Sequence, residues 1–255
     1  MKCVKLSICA LVLLIASTVA AQENPPAETA PPPPPPPPKY WTSSIGAGLA
    51  LTSGNTDTKN INVSFNTVYD PKTRNLFKAE ALLLRGESDG ETQVDRLTAG
   101  ARGEHTFSDG NFAFAEISFV RDPFKDINYS VAPVVGAGRR LIWTDEHKFS
   151  VDGAVGLRAE SNDADGESTE AALLAGQTYE WTLSPTSKFT EKATGLWTVD
   201  DFGDAVYHLE AGLVTSVRSR IELKIAANHD YRTRPPAANI KKGDSALFAA
   251  LLFKF

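Results

Sequence analysis

Hydrophobic and polar residues alternate with a period of two along most of the chain from Tyr40 to Phe255. In residues 44–51 the odd positions are Ile, Ala, Leu and Leu, and the even ones are mainly Ser and Gly. In residues 60–69 the odd positions carry Ile, Val, Phe, Thr and Tyr, opposite mostly Asn and Ser. This alternation is typical of β-strands with one apolar and one polar face. Because no segment shows a convincing helical period, the pattern predicts an all-β fold.

The alternation is interrupted often enough to predict twelve strands. Turn-forming residues such as Asp70-Pro71 and the segment Ser108–Asn111 separate the alternating segments. The predicted strands lie within residues 44–51, 60–69, 77–83, 96–104, 112–120, 128–142, 148–158, 168–181, 187–199, 207–216, 221–228 and 244–255.

The connections between these strands alternate in length, which predicts their topology. Tight connections are predicted at residues 70–73, 108–111, 143–146, 182–186 and 219–220. Mostly longer, polar and often acidic ones are predicted at 52–59, 86–91, 121–127, 161–167, 200–204 and 232–243. An even number of antiparallel strands of about ten residues, with turns at one end and loops at the other, describes an up-and-down transmembrane β-barrel of the outer membrane, with both termini in the periplasm.

A soluble β-sandwich or lipocalin-like barrel would show the same alternation, so other features must decide which face is inside. The last strand ends in alternating apolar residues with Phe253 and Phe255, which resembles the assembly signal of Gram-negative outer-membrane proteins. Aromatic residues that suit two interfacial girdles stand at predicted strand ends: Tyr40, Trp41, Tyr69, Trp143, Tyr179, Trp181, Trp197 and Tyr231. Glycines fall mainly on the polar face: Gly46, Gly48, Gly100, Gly136, Gly138, Gly156, Gly176 and Gly212.

The N-terminal segment supports export. Residues 1–21 combine an early lysine, an apolar run and a small-residue exit, which predicts a secretory signal peptide rather than a membrane anchor, because the run is shorter than a bilayer requires. Residues 22–39 contain eight consecutive prolines and predict a stiff periplasmic linker; a partner-docking motif is the alternative. The barrel is predicted to cover residues 40–255.

Composition narrows the function classes. Both cysteines, Cys3 and Cys9, lie in the leader, which excludes disulfides, zinc-thiolate sites and cysteine nucleophiles from the mature protein. Removal of the leader with Lys2 and Lys5 leaves 24 basic against 31 acidic residues, a formal charge of −7. No nucleic-acid partner is therefore expected.

Several separated motifs give the chain a family resemblance. They are Ser53–Asp57, Arg121–Phe124, Tyr129, Gly136–Gly138, Asp230–Arg232, Pro235–Pro236, Lys241–Asp244 and Phe253–Phe255. With these residues the chain resembles the family of salt-induced outer-membrane proteins, catalogued as a domain of unknown function, over essentially all of residues 40–255. The resemblance implies an outer-membrane barrel and brings no agreed activity and no catalytic residue.

Charged residues on the predicted inner face are nearly balanced, ten basic against nine acidic. We interpret this as a lumen crossed by ion pairs in a structural or envelope-stress protein. A narrow, weakly selective channel for small solutes is the alternative. Glu180–Lys188 and Arg218–Glu222 are predicted to pair across tight turns, whereas Glu191 would face lipid. The main lumen-lining candidates are Lys78, Glu80, Arg96, Arg102, Glu104, Lys148, Asp152, Arg158, Lys192, Glu210 and Lys224.

Enzymatic chemistry has weaker support. A hydrolase at the outer rim is the second alternative, because Asp200-Asp201 and His229-Asp230 resemble the acid and His-Asp pairs of omptin-type proteases, although strand neighbours point to opposite faces. Acidic loops at residues 88–91 and 162–167 leave open a loose divalent-ion or lipopolysaccharide-bridging role. We expect no catalytic residues, no cofactor and no metal. The expected partners of this monomer are outer-membrane lipid, lipopolysaccharide and the barrel-assembly machinery, which recognises the C-terminal strand.

Overall fold

The computed structural model describes residues 39–53, 58–88, 91–164, 166–236 and 240–255. The predicted signal peptide, residues 22–38 of the predicted linker, and parts of both predicted divalent-ion loops lie outside these described residues. No helix within the described ranges is long and apolar enough to cross a membrane.

Twelve antiparallel strands in the described residues close into one barrel, which confirms the predicted fold and strand number. Each strand pairs with its neighbours in sequence, and β12 pairs with β1 to close the ring. A short 3₁₀ turn, Pro123–Lys125, lies between β5 and β6. The strands are β1 Trp41–Ser53, β2 Thr58–Tyr69, β3 Asn75–Ser88, β4 Glu91–Ser108, β5 Asn111–Asp122, β6 Ile127–Trp143, β7 His147–Asn162, β8 Gly166–Ser184, β9 Ser187–Thr198, β10 Ala205–Arg218, β11 Ile221–Arg232 and β12 Gly243–Lys254.

The two faces of the barrel follow the parity of the residue number. Away from the β-bulges, even-numbered strand residues point into the lumen; Asn60 and Asn62, for example, are almost fully buried. Odd-numbered residues point outward, and Leu49 and Ile61 expose 68% and 63% of their surface. The polar face is therefore inside and the apolar face outside, which is the arrangement of a transmembrane barrel and the inverse of a soluble one.

Two outward-facing aromatic clusters mark the ends of the apolar band, as predicted. At the end that carries the short turns, Trp41 packs on Tyr69 with ring centroids 4.8 Å apart, and His147 stacks on Trp181 at 5.7 Å. At the opposite end, which we call the loop end, Trp197, Tyr207 and Tyr231 form a second cluster. Aromatic rings at these two levels suit the two membrane interfaces.

The strands are longer than the predicted ten residues. All have 12 or more, and β4, β6, β7 and β8 have 16 to 19. The predicted long loops at 86–91 and 161–167 are wrong, because β3 reaches Ser88 and β7 reaches Asn162. The strand residues beyond the predicted ends are polar on the outward face as well, as the pairs Arg85–Glu87 and Arg121–Asp95 show. A strand segment that is polar on both faces shows no alternation of apolar and polar residues, so its sequence resembles that of a loop.

The short connections are formed by local hydrogen bonds. In the β2–β3 connection Lys72 adopts a left-handed conformation, with φ of 58°. Its backbone N–H donates to Asp70 Oδ1 at 2.9 Å, and its Nζ donates to Asp70 Oδ2 at 2.6 Å. The side-chain hydrogen bond from Lys72 lowers the pKa of the Asp70 carboxyl below its usual value.

A β-bulge overturns one predicted ion pair. The register of β10 and β11 shifts between Ser216 and Arg218, which places Arg218 opposite Ile221 instead of Glu222. Glu222 accepts a hydrogen bond from Ser216 Oγ at 3.2 Å and pairs with Lys254 of β12 at 2.6 Å. The predicted Arg218–Glu222 pair is therefore wrong. The predicted Glu180–Lys188 pair is confirmed, with Nζ and Oε1 3.2 Å apart.

Inward-facing glycines allow neighbouring strands to approach closely. A Cβ atom at Gly136 would lie 2.6 Å from the Cβ of Ala154 and would meet the carbonyl oxygen of Gly153. On the same strand pair, a Cβ at Gly156 would meet the carbonyl oxygen of Pro133. The lumen wall formed by β6 and β7 therefore requires glycine at these two positions.

Candidate functional site

The lumen is the candidate site, and a buried arginine organises its half nearest the turns. Arg102 on β4 binds three carboxylates: Nε lies 3.0 Å from Glu104, Nη1 2.8 Å from Glu116 and Nη2 2.8 Å from Asp152. Asp152 belongs to β7, so this last contact passes over β5 and β6. A pair between strands that are not neighbours can form only across the inside of the barrel.

Aromatic rings and further cations complete this cluster. The Arg102 guanidinium lies 3.6 Å from the ring centroid of Phe114, a favourable cation–π geometry. Glu104 also binds Lys78 at 3.2 Å and Arg140 at 3.4 Å. Next to the cluster, Glu180 bridges Lys148 and Lys188 at 2.8 and 3.2 Å. Cations and carboxylates therefore neutralise one another along the β3–β9 wall.

An ion pair between opposite walls spans the middle of the barrel. Lys192 on β9 and Glu80 on β3 lie on opposite walls, with five strands between them in either direction. Their Nζ and Oε1 atoms are 3.6 Å apart, and the two side chains expose 38% and 59% of their surface. Beside them Lys224 binds Glu210 at 2.9 Å. Water therefore reaches the groups that bridge the lumen at this level.

Closer to the loop end, Asp230 forms the centre of a second set of pairs. Arg96 on β4 lies 2.6 Å from Asp230 on β11, a contact that passes over four strands. His208 Nδ1 lies 2.6 Å from the other oxygen of Asp230. Near the mouth, Lys125 binds Asp244 of β12 at 2.7 Å. These contacts join opposite walls above the Glu80–Lys192 pair.

The third set of pairs surrounds Arg158, a side chain with 5% of its surface exposed. Its Nη2 donates to Glu170 at 3.0 Å and to Asp204, and the neighbouring Arg232 binds Glu160 at 2.8 Å. Several buried polar atoms here make no hydrogen bond: Arg158 Nε and Nη1, Asp204 Oδ1 and Arg232 Nε. Such atoms carry a desolvation cost that a bound group would relieve.

A cavity of about 370 Å³ occupies the lumen between the middle pair and the loop end. Its walls include the charged residues Glu80, Lys192, Arg96 and Asp230, together with apolar side chains such as Phe248. The cavity therefore lies between charged layers that cross the barrel.

Each of the eleven predicted lumen-lining residues forms an ion pair within the barrel. The structure brings Lys78, Arg102, Glu104 and Asp152 together at the turn end, and places the others at the levels described above. Sequence reasoning missed three inward-facing partners beyond its predicted strand ends, Lys125, Glu160 and Arg232, and also Asp244, the first residue of its predicted last strand. Except for Lys125, these residues have even numbers, as the other inward-facing residues do, so the alternation pattern could have identified them.

The residues of the rim-hydrolase alternative do not converge. His229 faces outward and its Nδ1 lies 2.9 Å from Ser245 Oγ, whereas Asp230 faces the lumen and binds Arg96. Asp201 pairs with Arg234. Within the described part of the chain, no group of three or more His, Cys, Asp or Glu residues is arranged to hold a metal ion.

Glu191 lies on the outward face of β9, as its odd residue number predicted. Glu191 lies opposite Tyr179 in the β8–β9 register, at the level of the turn-end aromatic cluster. Gln177 Nε2 donates to Glu191 Oε1 at 3.1 Å. At the end of β12, Phe253 and Phe255 also face outward, with their rings stacked 6.5 Å apart.

Solved structures with a similar fold are outer-membrane barrels. The chain is similar to the NanC porin, with a TM-score of 0.55 and 9% identity over 83% of this chain and all of that one. It is also similar to the COG4313 outer membrane channel of Pseudomonas putida F1, with a TM-score of 0.53 and 13% identity over 92% of this chain and all of that one. At these identities the likeness is one of fold.

Sequence comparison identifies the family. The chain is 23% identical over 200 residues to the uncharacterized protein YdiY of Escherichia coli strain K12, which covers 78% of this chain and 77% of that protein. The family model described as protein of unknown function, DUF481, matches residues 45–255. The chain therefore belongs to the DUF481 family, which confirms the resemblance found in its sequence.

Proposed function

We propose that this protein is a structural barrel of the outer membrane whose lumen is held closed by ion pairs, with a role in maintaining the envelope under stress. The observation that carries the proposal is the Lys192–Glu80 pair, which joins diametrically opposite strands at 3.6 Å. Arg96–Asp230 and Lys125–Asp244 join opposite walls above it. An ion or solute that moves along the lumen therefore has to pass groups that join its opposite walls.

The proposed orientation places the short turns and both chain ends in the periplasm. Tyr40 and Phe255 lie at the same end of the barrel, because the strand number is even and β12 pairs with β1. The aromatic clusters and the apolar outer face would contact lipid and lipopolysaccharide. Phe253 and Phe255 would present the C-terminal strand to the assembly machinery.

Conductance in planar bilayers tests the closed lumen. The refolded wild-type protein should give no steady single-channel steps. The double variant Glu80→Ala, Lys192→Ala should give discrete steps, because it removes both side chains of the pair without leaving an unpaired charge. The matched control Arg85→Ala, Glu87→Ala removes an exposed ion pair of the outer face, 3.8 Å long, and should stay silent.

A narrow, weakly selective channel is the second candidate function. It is favoured by the exposure of Lys192 and Glu80, since water already reaches both side chains. This candidate predicts steps in the wild-type protein, and a change of ion selectivity in Lys192→Glu because the charge at the constriction changes sign. Wild-type steps with that response would replace the closed-barrel proposal. A silent double variant would contradict the role of the Lys192–Glu80 pair.

A further inference from the structure

The inner wall of the loop half carries an apolar patch that a water-filled lumen does not require. Leu84, Val94 and Phe248 are buried against one another, and Leu82 and Ala246 pack on them. All five line the cavity. The lumen of a transmembrane barrel is ordinarily polar because it faces water. Large apolar side chains at these positions instead resemble the wall of a binding pocket.

The opposite wall is apolar as well. Ala132, Leu174, Leu196 and Val206, from β6, β8, β9 and β10, line the same cavity. A volume of about 370 Å³ lies within the range of small-molecule pockets. The cavity is therefore large enough for an organic molecule with a ring or a short chain.

Polar atoms without partners lie at one side of this cavity. Arg158 and Arg232 line it, and Arg158 Nε, Arg158 Nη1 and Arg232 Nε are buried and make no hydrogen bond. Among the lining residues, one acceptor atom, Asn228 Oδ1, is also buried and makes no hydrogen bond. Three donors against one acceptor favour a ligand that brings acceptor oxygens. The charged N–H groups of arginine form strong hydrogen bonds to carboxylate oxygens.

The charge of the lining agrees with an anionic ligand of low charge. Eight Lys or Arg and seven Asp or Glu residues line the cavity, an excess of one positive charge. Most of these groups already pair with one another, so a multiply charged ligand would have to displace existing ion pairs. A single carboxylate requires only the donors that have no partner.

We propose that the loop half of the lumen is a binding site for a small organic monocarboxylate with an apolar body. The apolar body lies against Leu82, Leu84 and Phe248, and the carboxylate accepts hydrogen bonds from Arg158 and Arg232. The ligand enters from the loop end, where the Lys125–Asp244 and Arg96–Asp230 pairs must open for it. This site does not depend on whether the lumen conducts ions.

Isothermal titration calorimetry of the full barrel in lipid nanodiscs tests the site. The heat measured with empty nanodiscs is subtracted. The probe is 4-phenylbutyrate, which joins a ring and a short chain to one carboxylate. It should bind saturably with one site per barrel. Acetate, which lacks the apolar body, and 4-phenylbutanamide, which lacks the charge, should each bind at least about tenfold more weakly.

Two variants locate the binding. Ala246→Phe fills the cavity from β12 and should abolish binding, whereas Ala249→Phe adds the same ring to the outward face of that strand and should leave it unchanged. Arg158→Lys keeps a cation beside Glu170 and Asp204 but removes Nε and Nη1, and should weaken binding about tenfold. Equal binding of the amide, equal effects of the two phenylalanine variants, or no saturable binding would each overturn the proposal.

Discussion

Arg102 Nη2 donates to Asp152 Oδ2 at 2.8 Å across two intervening strands, and this contact ties the inner faces of β4 and β7 together. The Asp152 and Glu104 side chains beside Arg102 expose only 8% and 7% of their surface. Arg102→Met would leave these carboxylates without their main cation. Because an unpaired charge is costly in a buried site, we expect the free energy of unfolding to fall by about 3 kcal/mol. Urea denaturation of the wild-type and variant proteins, refolded into vesicles, measures this difference in unfolding free energy.

A matched control separates this effect from the loss of any arginine. Arg121 also pairs with an aspartate, Asp95, at 2.9 Å, but on the outer face, where its side chain is 44% exposed. Arg121→Met should change the free energy of unfolding by about 0.5 kcal/mol or less, because exposed pairs contribute little. Similar losses in both variants would contradict the organising role of Arg102.

The close approach of β6 and β7 makes a second prediction. In Gly136→Ala the added methyl group would collide with Ala154 and with the backbone of Gly153. The strands must separate to make room, so we expect a loss of about 2 kcal/mol in unfolding free energy. The denaturation midpoint of the refolded barrel measures this loss.

Gly153, on the outward face of the same strand pair, is the control. A Cβ there would lie 3.7 Å from its nearest neighbour, the carbonyl oxygen of Leu174, which is an ordinary contact. Gly153→Ala should be neutral or slightly stabilising, since alanine restricts the unfolded chain. If Gly136→Ala is tolerated equally well, inward glycine is not required for the packing of this wall.

The sequence was sufficient to predict the barrel because a period of two survives through most of the length of the twelve strands. One face is apolar wherever the strand crosses lipid, so the strand number and the inward direction of Arg102 or Lys192 follow from parity. The aromatic clusters were also predictable, since Trp and Tyr stand where the apolar face ends.

The partners of the inner charges could not be predicted in the same way. The position of Lys192 relative to Glu80 depends on the register of every strand between them, and one bulge was enough to separate Arg218 from Glu222. Pairing across one tight turn involves a single register, which explains why the Glu180–Lys188 pair was predicted. The apolar patch was missed because Leu84 and Val94 lie in segments that resemble loops.

The position of Glu191 gives a third prediction. A carboxylate on the lipid face is tolerated at the membrane interface and costly at the centre of the bilayer. Because Glu191 lies beside Tyr179 and accepts from Gln177, Glu191→Leu should change the free energy of unfolding by about 1 kcal/mol or less. The converse variant Ile225→Glu, at an outward position in the middle of β11, should cost about 2 kcal/mol. A large gain from Glu191→Leu would place Glu191 at the bilayer centre and contradict this interpretation.

The C-terminal phenylalanines give a prediction that separates assembly from stability. Phe255 is 62% exposed, and its backbone holds β12 to β1 through two hydrogen bonds with Ser43, of 3.0 and 3.3 Å. Phe255→Ala keeps those bonds, so the refolded barrel should lose at most about 1 kcal/mol. In cells the same variant should lower the amount of folded barrel in the outer membrane several-fold, because the assembly machinery would recognise the aromatic ring of the C-terminal residue. Phe65→Ala, at an outward position of β2 that is 40% exposed, should leave that amount unchanged. Equal losses in cells for both variants would mean that Phe255 acts as one more lipid-facing ring and carries no assembly signal.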